Sequence, residues 1–241
     1  MIDAWSAISL RMLQLMLSLD PEVLNIMLLS LKVSGTAVLM GALIGVPIGV
    51  FLGLRFGGKL GLMRFINTLA LVTIINTLMG LPPVVVGLIV YLLLTGSGPL
   101  GYLGLLYQPS AMIITQLVMV VPIVIGVTTS AVGSVDKSIR EKAIALGATG
   151  RQAAWTVLNE ARTGLLTAII VAFGAAISEV GGIMITGGNI RWHTRTLTTA
   201  IVQEVNLGDF NKAITLGVIL LSMAFTINLA LTIVQLRGTR R

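Results

Sequence analysis

The sequence contains no cysteine and one histidine among its 241 residues. The absence of cysteine excludes disulfide bonds, thiolate metal sites and a cysteine nucleophile. The lone His193 has no nucleophile or metal-ligand cluster around it in the sequence, so no bond chemistry is assigned to it. We therefore expect no catalytic residue, no metal and no cofactor, and a chain that is not itself an enzyme.

Charged residues are scarce as well. They make up 10% of the chain, hydrophobic residues make up 56%, and the mean hydropathy is +0.99. With 27 glycines added, the apolar share is about two thirds, against roughly 45–50% in soluble domains. A soluble core of this length cannot bury so much apolar surface, so the surplus faces lipid. The fold class predicted is an all-α integral membrane protein.

Five apolar segments approach or exceed the length of about 20 residues that a helix needs to cross a bilayer. The second is too long for one straight span, and the sequence GLPP at residues 80–83 predicts a kinked or broken helix there. The predicted spans are Val33–Leu54, Phe65–Thr95, Ala111–Val132, Leu165–Ile185 and Ile214–Leu236.

The remaining segments are assigned by polarity. Residues 1–32 lack a cleavable signal pattern and carry Arg11 and Gln14, which predicts an interfacial segment that leads into the transmembrane domain of residues 33–236. Residues 237–241 form a short tail.

The sixteen basic residues are divided unequally between the two sides of the membrane. Alternating spans place eleven of them with the tail and with loops 55–64 and 136–162, and five on the other side. By the positive-inside rule, the N-terminus is expected outside and the C-terminus in the cytoplasm. Because the basic residues flank apolar runs and do not cluster with aromatics on a polar segment, nucleic acid is excluded as a partner.

Glycines within the spans form a further pattern. Small residues at these positions let helix backbones approach closely, which indicates packing and not substrate binding. The glycines concerned are Gly41, Gly45, Gly49, Gly174 and Gly217.

The loop of residues 136–162 is expected to lie on the membrane surface. Ile139, Ala143 and Leu146 repeat at three- and four-residue spacing, which predicts a short amphipathic helix that Gly147 ends or turns. Such a helix fits the groove of a soluble partner, or it is an interfacial loop helix without a partner. The periodicity leaves both interpretations open.

The sequence EKAIALG at residues 141–147 has the E-x-A-x-x-x-G spacing that resembles the EAA loop of permease subunits of binding-protein-dependent ABC importers. Lys142 and residues 159–160 depart from the usual alanine and leucine-proline of that family. The resemblance implies that this loop docks on the ATPase subunit and transmits its closure. The residues carried over to that role are Glu141, Ala143, Leu146 and Gly147.

Other motifs extend the resemblance to the oxyanion permeases. The proline pair at 82–83 with the following VVVG, and GPLG at 98–101, are similar to molybdate-type permeases. Three motifs resemble the tungstate branch: ISEVGG at 177–182, GGNIR at 187–191 and TRTLTTAI at 194–201. The resemblance covers about residues 32–241 and implies the type I, MetI-like permease fold.

The resemblance implies an importer that moves an oxyanion by alternating access, with tungstate favoured and molybdate or sulfate as alternatives. A near match to a phosphate-binding loop at residues 53–59 has Leu60 where a magnesium ligand belongs, and it follows a membrane helix instead of a strand. ATP hydrolysis is therefore expected on a separate ATPase subunit. The other implied partners are an extracytoplasmic oxyanion-binding protein and a second copy of this chain, in the inner membrane of a bacterium or archaeon.

Five polar residues are candidates for the anion pathway or its gate. Ser178 and Glu179 fall within the fourth predicted span, where a carboxylate is costly; they either bond a neighbouring helix or take part in gating, since an ionised glutamate repels an anion. Asn189, Arg191 and Arg195 are donors that suit a doubly charged oxyanion. Alternatively, they belong to a solvated loop or to a docking surface for the binding protein.

Two other classes of protein are alternatives. A secondary transporter driven by an ion gradient is expected to have a repeat with paired broken helices, and the sequence indicates one interruption, at residues 80–83. A purely structural membrane subunit is the third alternative. Copurification with a nucleotide-hydrolysing chain distinguishes the importer from both.

Overall fold

The computed structural model describes residues 20–56 and 62–239. It is 81% helical, and the described residues contain no strand. Ten α-helices are formed within these ranges: α1 Pro21–Phe56, α2 Leu62–Met79, α3 Pro83–Leu94, α4 Pro109–Gly133, α5 Lys137–Ala145, α6 Gly150–Glu160, α7 Arg162–Ile177, α8 Gly181–Gly187, α9 Leu197–Asn206 and α10 Phe210–Thr239. The predicted all-α fold class is confirmed.

The helices belong to two compact units. The first unit takes the described part of Met1–Thr36 together with Pro83–Gln116 and Ile177–Ile227. Within it, α3 packs against α8. The second takes Ala37–Pro82, Leu117–Ala176 and the described part of Asn228–Arg241. Within it, α5 packs against α6.

The described apolar helices allow between three and five spans, and five were predicted. Among the described residues, α1, α4 and α10 are each long and apolar enough to cross a membrane alone. The pairs α2 with α3 and α6 with α7 qualify when each pair is taken together, which gives up to five spans. The predicted interruption of the second span is confirmed, since α2 ends at Met79 and α3 begins at Pro83. Proline supplies no N–H and disfavours helix in the residue before it.

One predicted span is corrected. The predicted fourth span, Leu165–Ile185, is not one helix, because α7 ends at Ile177 and α8 begins at Gly181. The predicted first span is part of a longer helix, since α1 starts at Pro21 and runs without a break through Lys32. The side chain of Asp20 accepts the N–H of Glu22 at 2.8 Å. An aspartate cap followed by proline in the first turn is a common helix start. Residues 1–19 of the predicted interfacial segment lie outside the described range.

Glycines spaced four residues apart line the face of α1 that contacts α4. The opposed pairs are Gly41 with Val120, Gly45 with Val124, Gly49 with Thr128 and Gly53 with Val132. A Cβ added at Gly49 would lie 2.6 Å from Cβ of Thr128, closer than van der Waals contact allows. The packing role predicted for the glycines of α1 is confirmed. Among the described residues, Gly174 and Gly217 show no such close contact, since a Cβ added there meets nothing within 4 Å.

Replacing both Gly45 and Gly49 with alanine is expected to lower the thermal stability of the detergent-purified protein. Overpacking costs about 1–3 kcal/mol at each site, more than the roughly 1 kcal/mol gained in helix propensity. Gly35→Ala on the same helix is the matched control, since an added Cβ there has nothing within 4 Å. An unchanged unfolding temperature in the double variant would contradict close packing of α1 on α4.

Candidate functional site

The first candidate site is the α5–α6 segment, whose helix starts are fixed by side-chain caps. The Asp136 carboxylate accepts the N–H of Ser138 at 2.8 Å at the start of α5. The backbone hydrogen bond from Ser138 holds the pKa of the Asp136 carboxyl below its ordinary value, so the cap stays ionised at neutral pH. Thr149 and Gln152 form a capping box at the start of α6.

Gly147 forms the turn between the two helices. Its φ of +89° lies in the left-handed region that glycine adopts readily. The N–H of Gly147 donates to Ile144 at 2.9 Å, and the N–H of Ala148 donates to the carbonyl of Ala143 at 3.0 Å. This pair of bonds is a Schellman motif with glycine at the position after the cap. The predicted end of the helix at Gly147 is thus confirmed.

The tip of this segment exposes apolar side chains. None of the residues of α5 is buried. Ile139 and Ala143 are half-buried, whereas Leu146, the third residue of the predicted apolar face, is 88% exposed next to Gly147. The neighbouring Ile144 is 48% exposed. The turn therefore exposes the apolar side chains of Ile144 and Leu146 instead of packing them against the protein, and these two side chains form the apolar knob of the segment.

Helix α6 fixes this knob to the second unit. Val157 and Ala161 are buried against Val132, with partly buried hydrophobic residues from α1 and α7 packed around them. A groove of about 270 Å³ runs beside α5, and Glu141 lines it together with Asp136 and residues from the ends of α1 and α4. The exposed turn between α5 and α6 is thus anchored to the second unit through the buried residues of α6.

The near match to a phosphate-binding loop has no support in the described part of the chain. Gly53 belongs to α1 and packs against Val132, as glycine does at a close helix contact. Gly58, Lys59 and Leu60 lie outside the described residues. Among the residues that the structure does describe, no group of three or more acidic or histidine side chains is placed to hold a metal ion.

The second candidate site begins at the break between α7 and α8, which contains Ser178 and Glu179. The carboxylate of Glu179 is 5% exposed and accepts two backbone N–H groups of α8, from Gly182 at 2.7 Å and from Ile183 at 3.1 Å. Its backbone carbonyl accepts the hydroxyl of Thr198 at 2.8 Å. In these contacts the side chain does not bond a neighbouring span; it satisfies the free N–H groups with which α8 begins.

Helices α3 and α8 approach each other through glycine. A Cβ added at Gly87 would lie 2.5 Å from Cα of Gly182, and one added at Gly182 would lie 2.8 Å from the carbonyl oxygen of Pro83. A Cβ added at Gly181 would meet a methyl group of Val84 at 2.6 Å. The structure thus brings together the residues after the proline pair and the motif after Glu179, which the sequence presents about 95 positions apart.

Side-chain hydroxyl groups form hydrogen bonds with the backbone of the segment that follows α8. Thr194 donates to the carbonyl of Gly187 at 2.6 Å and accepts the N–H of Ile190 at 2.9 Å. Ser30 of α1 accepts the N–H of Leu197 at 2.9 Å. Residues 194–200 are all buried. Residues 194–200 are therefore not a solvated loop, because they are buried and the hydroxyl of Thr194 forms hydrogen bonds within the protein.

The exposed part of this loop is residues 188–193. Asn189 and Trp192 have φ values of +49° and +66°, an uncommon conformation for residues other than glycine. Asn189 donates its amide to Gln203 at 2.6 Å, and Trp192 is 52% exposed. The single histidine, His193, contacts Gln108 through its Nε2 at 2.8 Å. These contacts hold the loop in a defined shape at the surface of the first unit.

Arg191 and Arg195 are brought together on the carboxylate of Glu22. Arg191 donates its Nε to Oε1 at 3.0 Å and its Nη2 to Oε2 at 2.7 Å, while Nη1 of Arg195 lies 3.5 Å from Oε1. The hydrogen bonds with Glu22 raise the pKa of the Arg191 guanidinium above its ordinary value. Sequence analysis did not single out Glu22, which lies about 170 positions away. The i, i+4 spacing of the two arginines was the available signal.

The comparisons with known proteins agree with this architecture. The chain matches, over residues 45–241, the family described as binding-protein-dependent transport system inner membrane component. It is 43% identical to a probable anion ABC transporter permease protein of Haloferax volcanii, with 85% of this chain and 87% of that protein covered. It is 38% identical to the tungstate uptake system permease protein TupB of Peptoclostridium acidaminophilum, with 90% and 91% covered.

A solved structure gives the fold. The crystal structure of an amino acid ABC transporter with histidines superposes with a TM-score of 0.54 at 20% identity, over 94% of this chain and 97% of that one. The match confirms the MetI-like permease fold. Together with the family match over residues 45–241, it shows that the chain belongs to the binding-protein-dependent transport system inner membrane components and is a multi-pass permease subunit.

Proposed function

We propose that this permease is the translocating subunit of an ATP-driven importer for tungstate or a closely related oxyanion. The observation that carries the proposal is the exposed turn between α5 and α6. There, a family coupling motif coincides with an apolar side chain, Leu146, held out by the left-handed Gly147. An apolar side chain presented on a short helix is suited to insertion into a groove of a soluble partner, which is a recurring mode of recognition.

The ATPase subunit is proposed to bind at this turn. Leu146 would fill a pocket of the partner, and the glycine-capped turn fixes its direction. Ala143 supplies a small side chain that permits close approach, and Glu141, at the adjacent groove, provides a charge for pairing with the ATPase subunit. Nucleotide-driven closure of two ATPase subunits would then move the attached helices and alternate access to the pathway.

Tungstate is proposed as the substrate on two grounds. The chain is 38% identical to a tungstate uptake permease over nearly its whole length. In addition, its two clustered arginines are suited to a doubly charged anion with four acceptor oxygens, because guanidinium groups bind such anions through paired hydrogen bonds. Ser178, Glu179 and Asn189 are assigned to shaping the gate around that pathway.

The assembly and orientation follow from the proposed role. Two copies of this chain would enclose the pathway between them, since closed twofold symmetry is the commonest arrangement of homo-oligomers. An extracytoplasmic binding protein would deliver the oxyanion to the face that carries Arg191. Loop 136–162 and the C-terminus are proposed to lie in the cytoplasm, with the N-terminus outside, because most of the basic residues flank that side of the spans.

The test is energised uptake in proteoliposomes. The permease is coexpressed with the ATPase subunit and binding protein of its own organism and reconstituted with ATP inside. Tungsten taken up is then measured by mass spectrometry. We expect ATP-dependent accumulation of tungstate, with molybdate and sulfate each competing less well. Accumulation that follows an imposed ion gradient and ignores ATP would overturn the proposal in favour of a secondary transporter.

A further inference from the structure

Two arginines and one carboxylate meet beside the start of α1. Arg191 donates two hydrogen bonds to the carboxylate of Glu22, of 2.7 and 3.0 Å, and Arg195 approaches the same carboxylate at 3.5 Å. The residue Arg195 is 9% exposed, and the Glu22 side chain is 13% exposed. The trio therefore holds two positive charges against one negative charge, with Arg195 and Glu22 largely enclosed and the side chain of Arg191 59% exposed at the surface.

Arg195 is poorly satisfied for a buried cation. Its contact with Glu22 is at the outer limit of a hydrogen bond. Its buried Nε has no hydrogen-bond partner among the described residues. A buried guanidinium presents five N–H donors and is costly when they are unmatched. The cluster thus lacks acceptor oxygens and negative charge, and these are what an oxyanion brings.

We propose that Arg191 and Arg195 form a binding site for a tetrahedral dianion within the permease, and that the Glu22 carboxylate occupies this site until the anion displaces it. The two oxygens of Glu22 stand where two oxygens of the anion bind. A tetrahedral anion carries one charge more and two oxygens more than a carboxylate, so it matches both guanidinium groups better. This inference rests on the proposed oxyanion transport.

The surroundings explain why such a site releases its anion. Asp20 and Glu204 line the same small cavity as Glu22. Asp20 accepts the N–H of Glu22 as the cap of α1, and Glu204 pairs with Lys212 at 2.8 Å. Neither supplies the missing acceptors of Arg195, but both carboxylates act on the charge of Arg191. Lys212, which lines the cavity too, offsets the charge of Glu204, and Asp20 retains a negative charge that weakens the hold on a dianion, as a transport pathway requires.

Displacement of Glu22 has a structural consequence. The Glu22–Arg191 and Glu22–Arg195 pairs are links between the first turn of α1 and the exposed loop of residues 188–193 with its buried continuation. An arriving anion takes over both arginines and leaves Glu22 free. The loop is then coupled to the anion in place of α1, so occupancy of the site and the position of the loop change together.

The test is equilibrium dialysis of tungstate against the full-length permease in nanodiscs, with bound tungsten measured by mass spectrometry. Glu22→Gln removes the competing charge and is expected to tighten binding by on the order of tenfold, which corresponds to about 1.4 kcal/mol. Glu22→Asp shortens the side chain by one methylene and should tighten binding less. Arg195→Gln should abolish binding in the wild-type and Glu22→Gln backgrounds alike.

Glu204→Gln is the charge-matched control. It removes the same charge from the same cavity without freeing the arginines, so its effect should stay below about threefold, or roughly 0.7 kcal/mol. Equal tightening in Glu204→Gln and Glu22→Gln, no tightening in either Glu22 variant, or unchanged binding in Arg195→Gln overturns the inference. Any of these results alongside normal ATP-driven tungstate uptake by the complete transporter leaves the proposed function standing. Absent uptake by the wild-type system rejects the function itself.

Discussion

Replacing Gly147 with valine should abolish ATP-driven tungstate uptake while the permease still inserts and purifies normally. The reason is local. Gly147 has a φ of +89°, and its N–H closes one of the two bonds that end α5. A β-branched side chain is strongly disfavoured in this region, at a cost of roughly 1–2 kcal/mol or more. The segment avoids that cost by changing the turn, because a side chain added at this exposed position has no neighbouring atom within 4 Å of its Cβ that would hold the original geometry.

A changed turn redirects Leu146, which is 88% exposed and adjacent to Gly147. If Leu146 points in another direction, it no longer fits the proposed pocket of the ATPase subunit. The closure of the ATPase subunits that nucleotide drives is then not transmitted to the permease. We expect uptake to fall by more than tenfold, corresponding to a loss of about 1.4 kcal/mol or more of coupling energy. The measurement is tungstate uptake and ATP hydrolysis by the same proteoliposomes.

Two variants separate turn geometry from side-chain bulk. Asparagine tolerates the left-handed region better than other residues with a side chain, so Gly147→Asn should retain a substantial share of uptake. Gly150→Ala adds a methyl group three residues away, where φ is not positive and nothing lies within 4 Å, and should transport normally. Full uptake by Gly147→Val would remove this turn from the coupling mechanism.

The turn between α5 and α6, which is proposed for coupling, was predictable from the sequence because its determinants are local. The apolar spacing of Ile139, Ala143 and Leu146 predicts a short helix, and a glycine after its last turn predicts the end. Both signals act within about ten residues, the range over which helix caps operate. The exposure of Leu146 was not predictable, because it depends on how α6 anchors the segment through Val157.

The second site was predictable only in part. Glu179 was placed inside a continuous span because its flanking residues are apolar, yet α7 stops before it and α8 begins after it. The small residues that follow permit the break, since Gly181 and Gly182 pack where a side chain would strike Val84 and Pro83. That contact joins segments far apart in the sequence, and a single-sequence pattern carries no information about it.

The break at residues 178–180 bears on the alternative of a secondary transporter. A secondary transporter was disfavoured because only one interrupted helix was expected, whereas the described residues contain a second interruption at residues 178–180. Broken helices are tolerated in membranes wherever the freed backbone groups find partners. At this break, Glu179 supplies those partners from the chain itself. An importer is therefore supported by the family match and by the turn proposed for coupling, and not by the number of interruptions.

A second large effect is expected at Glu179, because its carboxylate accepts backbone N–H groups at the start of α8. Glu179→Ala should strongly destabilise the permease and eliminate uptake. It leaves the N–H groups of Gly182 and Ile183 without their carboxylate acceptors in a buried setting. Each unsatisfied buried donor costs about 1–3 kcal/mol, which gives roughly 2–6 kcal/mol for the pair. The loss also loosens the start of α8, where Gly182 must stay close to Gly87.

Glu179→Gln distinguishes a cap from a charged gate residue. The amide oxygen of glutamine still accepts one of the two N–H groups, so a capping role predicts a thermal stability and an uptake rate between those of the wild type and of Glu179→Ala. A role that depends on the negative charge predicts instead that the glutamine variant transports as poorly as the alanine variant while remaining more stable. Thermal unfolding in detergent and tungstate uptake, measured on the same preparations, separate the two. Wild-type stability of Glu179→Ala would contradict the capping role, because α8 would then begin equally well without an acceptor, and wild-type uptake by Glu179→Gln would contradict the charged-gate role.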